Sequence, residues 1–178
     1  MKRDESEINV RPAALNDREE AGALWMNLMR EHEAMEPRFK LAADAALRWK
    51  NDFPLWIEDQ TRRIMLAEEA GRIVGFIQAH RHVEPPVFEE VAEVYIDEIY
   101  TLPEVRGRGI GRLLLDNIKD WAGSVGARRL RFGVLTANSA GIRFWESEGA
   151  VQMGRIYTVS IQSESQIETG KPTRKLGF

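Results

Sequence analysis

Between residues 94 and 125 the chain reads as a strand, a glycine turn and a helix in immediate succession. That order restricts the fold more than any other feature. The strand is Val94-Tyr95-Ile96-Asp97-Glu98-Ile99-Tyr100-Thr101, closed by Leu102-Pro103. The helix carries Ile110, Leu114, Ile118, Trp121, Ala122 and Val125, the three- and four-residue spacing of one apolar helical face. Arg106-Gly107-Arg108-Gly109-Ile110-Gly111 joins the two. A further strand pattern over 129–135 follows, so strand, helix and strand form a β-α-β unit whose strands run parallel. A glycine-rich turn that opens a helix presents bare backbone N–H groups at the positive end of the helix dipole, which makes a cradle for phosphate. Arg106 and Arg108 add formal positive charge beside it. A phosphorylated cofactor is the expected occupant.

Two phosphate loops are excluded by spacing or fit poorly. A Walker A loop ends in Gly-Lys-Ser/Thr, whereas Gly111 is followed by Arg112-Leu113. A dinucleotide fingerprint needs G-x-G-x-x-G and an acid about 20 residues on. Here the glycines read G-x-G-x-G, and 129–135 contains Arg131 and no acid. The pattern Arg/Gln-x-x-Gly-x-Gly/Ala is met by Arg106, Gly109 and Gly111, and it resembles the coenzyme A pyrophosphate loop of the GNAT superfamily of N-acetyltransferases. The run from Glu98 through Gly111 is similar to that family's fourth strand, loop and third helix. Asn138-Ser139-Ala140-Gly141-Ile142-Arg143-Phe144-Trp145-Glu146-Ser147-Glu148-Gly149-Ala150 resembles its Asn…Phe-Tyr…Gly-Phe segment. Residues 8–15 and 72–79 sit where its first and third strands belong, and the resemblance covers about residues 8–161.

The resemblance implies an α/β fold, a GNAT-like domain over 1–162 followed by a polar tail over 163–178. Its sheet is mixed and mostly antiparallel, with a central parallel β-α-β unit and flanking helices. It implies acetyl-CoA as co-substrate, with no metal. The loop from Arg106 through Gly107, Arg108, Gly109 and Ile110 to Gly111, with Arg112 at the helix start, would hold the pyrophosphate. The strand end at Ile99, Tyr100 and Thr101 would pair with the amide-bearing arm as an added strand does, and Asn138 would bond that arm or cap the next helix. A backbone N–H near Ile99 would polarise the acetyl carbonyl.

A primary ammonium titrates near 10, so it must lose a proton before it attacks. Glu98 is the first candidate base or else a structural ion-pair partner, Asp97 on the opposite face of the strand is second, and Glu93 is third. The family pattern carries a tyrosine acid where this chain has Trp145. An indole N–H donates but does not titrate. Trp145 would therefore orient the sulfur while Tyr100, Tyr157 or water supplies a proton; alternatively it packs, and the chain binds acyl-CoA without turnover. The acceptor is expected to be a small-molecule or peptide amine, closest to the polyamine and small-amine branch. A homodimer is also expected.

With 178 residues, 43% of them hydrophobic, the chain can bury one full core. A formal charge of −3 gives no electrostatic case for nucleic acid. The absence of cysteine rules out disulfides and a thiol nucleophile. Met1-Lys2-Arg3-Asp4-Glu5-Ser6-Glu7 has no apolar signal core, and no apolar run is long enough to cross a bilayer. A cytoplasmic location without membrane contact is the expectation.

The remaining elements follow from local pattern. Residues 8–11 read as a strand ended by Pro12, and Asn16 is placed to cap a helix whose stripe is Ala21, Leu24, Trp25, Leu28 and Met29. Asp44 would cap a helix through Trp49, and Pro54 would open another short one. Phe39, Trp49, Phe53 and Trp56 either pack these helices or wall an acceptor pocket. A hairpin turns at Ala70-Gly71, and an acidic loop with Glu84, Glu89 and Glu90 would attract a cation. His80 and His82 share a face without a third ligand, a poor metal site. A helix over 139–148 ends at Gly149, and 151–161 alternates as a returning strand.

Overall fold

The apolar runs between residues 8 and 131 become five strands in the computed structural model, which describes residues 7–82, 87, 92–159 and 161. These are β1 (Ile8–Pro12), β2 (Arg62–Glu69), β3 (Arg72–His82), β4 (Glu93–Thr101) and β5 (Arg129–Arg131), and they lie side by side in that order. β1 to β4 are antiparallel neighbours, while β5 runs parallel to β4. Helices α1 (Arg18–Met35) and α2 (Ala45–Glu58) precede β2, α3 (Ile110–Ser124) connects β4 to β5, and α4 (Ser139–Ser147) follows. The chain divides into two units, 1–142 and 143–178, with the boundary inside α4. The expected mixed sheet and its β-α-β unit are therefore present, with the unit at the β5 edge of the described sheet rather than at its centre. No described helix is long and apolar enough to cross a membrane. The acidic loop of Glu84, Glu89 and Glu90 and the tail over 163–178 lie outside the described residues.

The two faces of the sheet are covered by different helices. Phe76 and Tyr100, paired across β3 and β4, face α1, where the Tyr100 hydroxyl reaches Glu31. On the opposite face a Cβ at Gly75 would sit 3.3 Å from Leu114 of α3 and 2.9 Å from the Tyr100 carbonyl. A side chain there would have to push α3 and β4 apart. Leu66, Ile77, Leu114 and Ile118 are fully buried between the layers, each contributing about 1.5–3 kcal/mol of transfer free energy.

Several elements depart from the sequence reading. Asn16 does not cap α1. Asp17 does the local work: its carboxylate accepts the Ala14 amide at 2.7 Å and is gripped at 2.8 and 2.9 Å by the Arg11 guanidinium. That bidentate pair holds the Asp17 carboxyl below the usual carboxylate range. Residues 45–58 form one helix rather than two, with Pro54 inside it. An internal proline costs about 3 kcal/mol. Burial of Trp49 and Phe53 offsets this, with Trp49 stacked on Trp25 at 5.8 Å and 4.9 Å from Phe53. Phe39 stays out of this cluster, 55% exposed.

β5 stops at Arg131 instead of reaching 135, and residues 151–159 form no strand among the described residues. Their alternation is present, but without a partner ladder the backbone gains nothing from extended pairing, and every side chain in 151–159 is exposed. α4 does stop at its glycine signal. Gly149 is left-handed at φ 84°, and the Ala150 and Gly149 amides close back on Trp145 and Glu146.

The β2–β3 turn offers a stability test. Glu69 pairs with Arg72, leaving Ala70 and Gly71 as the two loop residues at φ 50° and 79°. Such a turn wants glycine, asparagine or aspartate, because a Cβ in the left-handed region is strained. Ala70→Asn is expected to stabilise the protein by about 0.5–1 kcal/mol. A thermal melt should shift upward by about 1–4 °C; an unchanged or lower midpoint would show that the strain is relieved elsewhere.

Candidate active site

The chemistry of β4 is set by one extra residue. Gln78 of β3 pairs with Glu98, and the next residue, Ala79, pairs with Ile96. Asp97 is therefore a β-bulge. Simple alternation placed Asp97 on the face opposite Glu98, and the bulge corrects that reading. The Asp97 carboxylate lies 3.0 Å from His80 Nδ1 and 3.3 Å from Arg62 Nη1. His80 is two residues from Gln78, and Arg62 pairs with His80 across β2 and β3. Residues two apart on a strand share a face, so both carboxylates serve the side of the sheet that α1 covers.

Their surroundings give them different tasks. Asp97 is held by Arg62 and His80, and Arg62 also stands 5.9 Å above the Trp56 ring. Glu98 has no such partner, and its Oε2 is buried without a hydrogen bond. Burial first, and then the negative charge of Asp97, push the Glu98 carboxyl up to about 7; the Trp25 indole and Arg62 pull the other way. Gln78 Oε1, on the residue paired with Glu98 across β3 and β4, is likewise buried without a hydrogen bond. Each unmet buried group costs about 1–3 kcal/mol, so this corner is built at a cost to the fold. Glu93, the third carboxylate of the strand, is 1% exposed and bonded by Arg129, with Arg131 at 3.5 Å. It is a structural ion pair that fastens β5 to β4.

The other end of β4 leads into the glycine loop. Gly107 and Gly109 are left-handed, at φ 77° and 81°. Gly109 is the N-cap of α3 and has no side chain to cap with. The first helical bond runs from the Leu113 amide to the Gly109 carbonyl at 3.1 Å. The amides of Ile110, Gly111 and Arg112 thus precede the helical ladder at its positive end. Buried Ile110 fixes this turn in the core. The loop arginines are already engaged. Arg106 donates to Glu31 at 2.8 and 3.0 Å and to the Thr101 carbonyl at 3.1 Å, and lies over the Tyr100 ring at 5.3 Å. Arg108 pairs with Glu69 at 2.6 Å. These ion pairs brace the loop against α1 and β2, so the backbone amides are its principal offer to an anion.

Between loop and carboxylate, β4 has a free edge. It pairs with β5 only over Glu93, Val94 and Tyr95. From Ile96 to Thr101 no described strand pairs on that side, and Ile99, Tyr100 and Thr101 lie on this stretch. Uncapped amides and an open strand edge fit a phosphate-bearing molecule with an amide-bearing arm. The Tyr100 hydroxyl is 3.1 Å from Glu31. Burial and then the Glu31 charge raise it above the ordinary tyrosine range.

The remaining sequence candidates are placed as follows. Asn138 Oδ1 accepts the Gly141 amide at 2.8 Å, so it caps α4. Trp145 is 7% exposed and meets Phe144 edge-on at 5.0 Å. Tyr157 lies in the irregular stretch, 79% exposed. Gln78, Glu31 and Arg62 were missed. A signal for Gln78 existed, as the sole polar residue in the buried run from Ile73 to Ala79 of β3. Trp25 stands in the apolar stripe of α1, which spacing alone assigns to the core.

Residues 25–150 match the Acetyltransferase (GNAT) family. An uncharacterized N-acetyltransferase, YhfO from Bacillus subtilis (strain 168), is 31% identical over 96 residues, 52% of this chain and 61% of that relative. The chain thus spans less than two thirds of the curated relative it matches. Among solved structures, a tetramutant of the BH1408 protein from Bacillus halodurans superposes with a TM-score of 0.78 at 19% identity, over 86% of this chain and 99% of that one. Aminoglycoside N-acetyltransferase AAC(6')-Iy in complex with CoA gives 0.69 at 17% identity, over 92% and 100%. At these identities the structural likeness is one of fold.

Proposed function

The chain belongs to the GNAT family of acetyltransferases, and from that premise we propose that it transfers an acetyl group from acetyl-CoA to a primary amine by direct attack. The observation that carries this reading is the layout of β4. A carboxyl with a raised pKa and a buried, unpaired oxygen, Glu98, stands on the strand whose free edge runs on into the uncapped start of α3. The CoA bound by the aminoglycoside acetyltransferase of similar fold supports the same choice of co-substrate.

Acetyl-CoA supplies the acetyl group as a thioester. The amides of Ile110, Gly111 and Arg112, in the loop begun by Arg106, Gly107, Arg108 and Gly109, hold its phosphates. The edge at Ile99, Tyr100 and Thr101 holds its arm, and a backbone N–H near Ile99 donates to the carbonyl. Glu98 takes the proton that the ammonium sheds before attack; the C–N bond then forms as the C–S bond breaks with its electrons on sulfur, and the second proton of the nitrogen passes to water. A carboxylate titrating at about 7 is half-ionised at neutral pH, where a base works best. No residue has to titrate at the sulfur, because a thiol with a pKa of about 8.5 leaves as thiolate. Asp97 as an alternative base, Trp145 as a sulfur-orienting donor and Tyr157 as a proton source are roles that rest on the sequence reading. Exposed Val151, Val159 and Ile161, at 85%, 87% and 98%, favour a homodimer.

The test is thiol release from acetyl-CoA with a panel of small amines, polyamines, an aminoglycoside and peptides, with mass spectrometry of the products. Amine-dependent release with acetylated product is expected. Tight acetyl-CoA binding with no release for any amine would make the protein an acyl-CoA-binding module instead.

A further inference from the structure

Two buried acceptors without hydrogen bonds meet on the α1 face of the sheet, beside the Trp25 indole of α1. Gln78 Oε1 and Glu98 Oε2 come from residues directly opposite on β3 and β4, and Trp25 Nε1 comes from α1 beside Glu98. Directly opposed residues of antiparallel strands hold their Cβ atoms about 4.5–5.5 Å apart on one face. Gln78 is only 3% exposed, so bulk water does not serve its amide oxygen. Native proteins leave few such groups unmet, and here two acceptors face each other. Their complement is a group that donates at least two hydrogen bonds to acceptors side by side. A hydroxyl donates one and a carboxylate none, whereas a primary ammonium donates three. Charge agrees with this, because Arg62 and His80 are turned onto Asp97 and leave Glu98 open. The Trp25 ring, stacked on Trp49 at 5.8 Å, gives the same corner an aromatic wall.

We propose that Gln78 and Glu98 together form the seat of the acceptor's primary ammonium, and that Gln78 Oε1 selects primary amines over their fully N-alkylated forms. This rests on the reading of Glu98 as the base. Glu98 supplies the charge and takes one proton, while Gln78 accepts a second N–H that a tertiary amine cannot present.

The experiment compares n-hexylamine with N,N-dimethylhexylamine, both titrated by calorimetry into protein saturated with CoA, so that binding is read without turnover. Wild type is expected to bind the primary amine at least tenfold more tightly. Gln78→Leu, close in volume but without the acceptor, should bring the two amines within about threefold while CoA affinity stays unchanged. Gln78→Asn, which keeps an amide but withdraws it by one methylene, should fall between, and it serves as the readout if the leucine variant does not fold. Equal affinity for both amines in wild type would overturn the proposal, as would undiminished discrimination in a folded Gln78 variant. If Gln78→Leu keeps its discrimination while Glu98→Gln is inactive, the seat is wrong and the base stands. If Glu98→Gln keeps full activity, the base reading fails by itself.

Discussion

Gly111→Glu is expected to remove acetyl-CoA binding from calorimetry while leaving the circular dichroism spectrum and the thermal midpoint at or above the wild-type values. The residue stands second in α3, after a glycine N-cap that has no side chain to satisfy the amides behind it. A glutamate there is favourable to the helix itself, since a carboxylate in the first turn lies at the positive end of the dipole. That same carboxylate occupies the charge and the amides that an incoming pyrophosphate needs. Hydrogen bonds to charged groups contribute about 1.5–3 kcal/mol each, so losing two of them weakens binding by about two to four orders of magnitude. Gly111→Ala places no charge there and is expected to lose much less. Wild-type affinity in a folded Gly111→Glu protein would show that the loop does not hold the phosphates.

What the sequence made legible was local. The β4–loop–α3 junction could be read because glycine is the residue for left-handed backbone, as Gly107 and Gly109 show at φ 77° and 81°. The stop of α4 at Gly149 follows the same rule. Long-range contacts were not legible. Asn16 was a sound N-cap by residue type, but Arg11, held in place on β1, captured Asp17 and moved the turn. Pro54 signalled a break, and the packing of Trp49 and Phe53 overrode it. The bulge at Asp97 depends on how β3 meets β4, a register that no window of β4 alone encodes. Glu31 and Arg106, 75 residues apart, meet only because α1 crosses the end of β4. The candidate site was thus readable along β4 and the loop, and unreadable across the sheet, where Gln78, Arg62 and Trp25 complete it.

Glu98→Gln is expected to make the protein more stable and much slower at neutral pH. Burial and the Asp97 charge lift the Glu98 carboxyl from 4.5 to about 7, so the folded chain holds this proton more tightly than the unfolded chain does. The carboxylate therefore costs nothing below about pH 4.5, and destabilises progressively as pH rises through about 7. Each tenfold in proton affinity corresponds to about 1.4 kcal/mol, so the neutral amide should recover up to about 3 kcal/mol at pH 8 and almost nothing at pH 4. Denaturant melts at the two pH values measure this directly. Kinetics should move the other way. Wild-type kcat/KM should climb to a plateau through an apparent pKa near 7, and the variant should lack that limb and run about 100- to 10,000-fold slower at pH 7. The gap should narrow towards pH 10, where the amine sheds its own proton. Cofactor affinity should be unchanged, because the amide keeps the shape of the side chain. A glutamate kept for a structural ion pair would give the opposite stability result, since removing it would weaken the fold at neutral pH. A variant equal to wild type from pH 6 to 10 would pass the proton to Asp97 or to water. Gain of stability with loss of rate in one substitution is the signature of a buried carboxylate retained for its proton affinity.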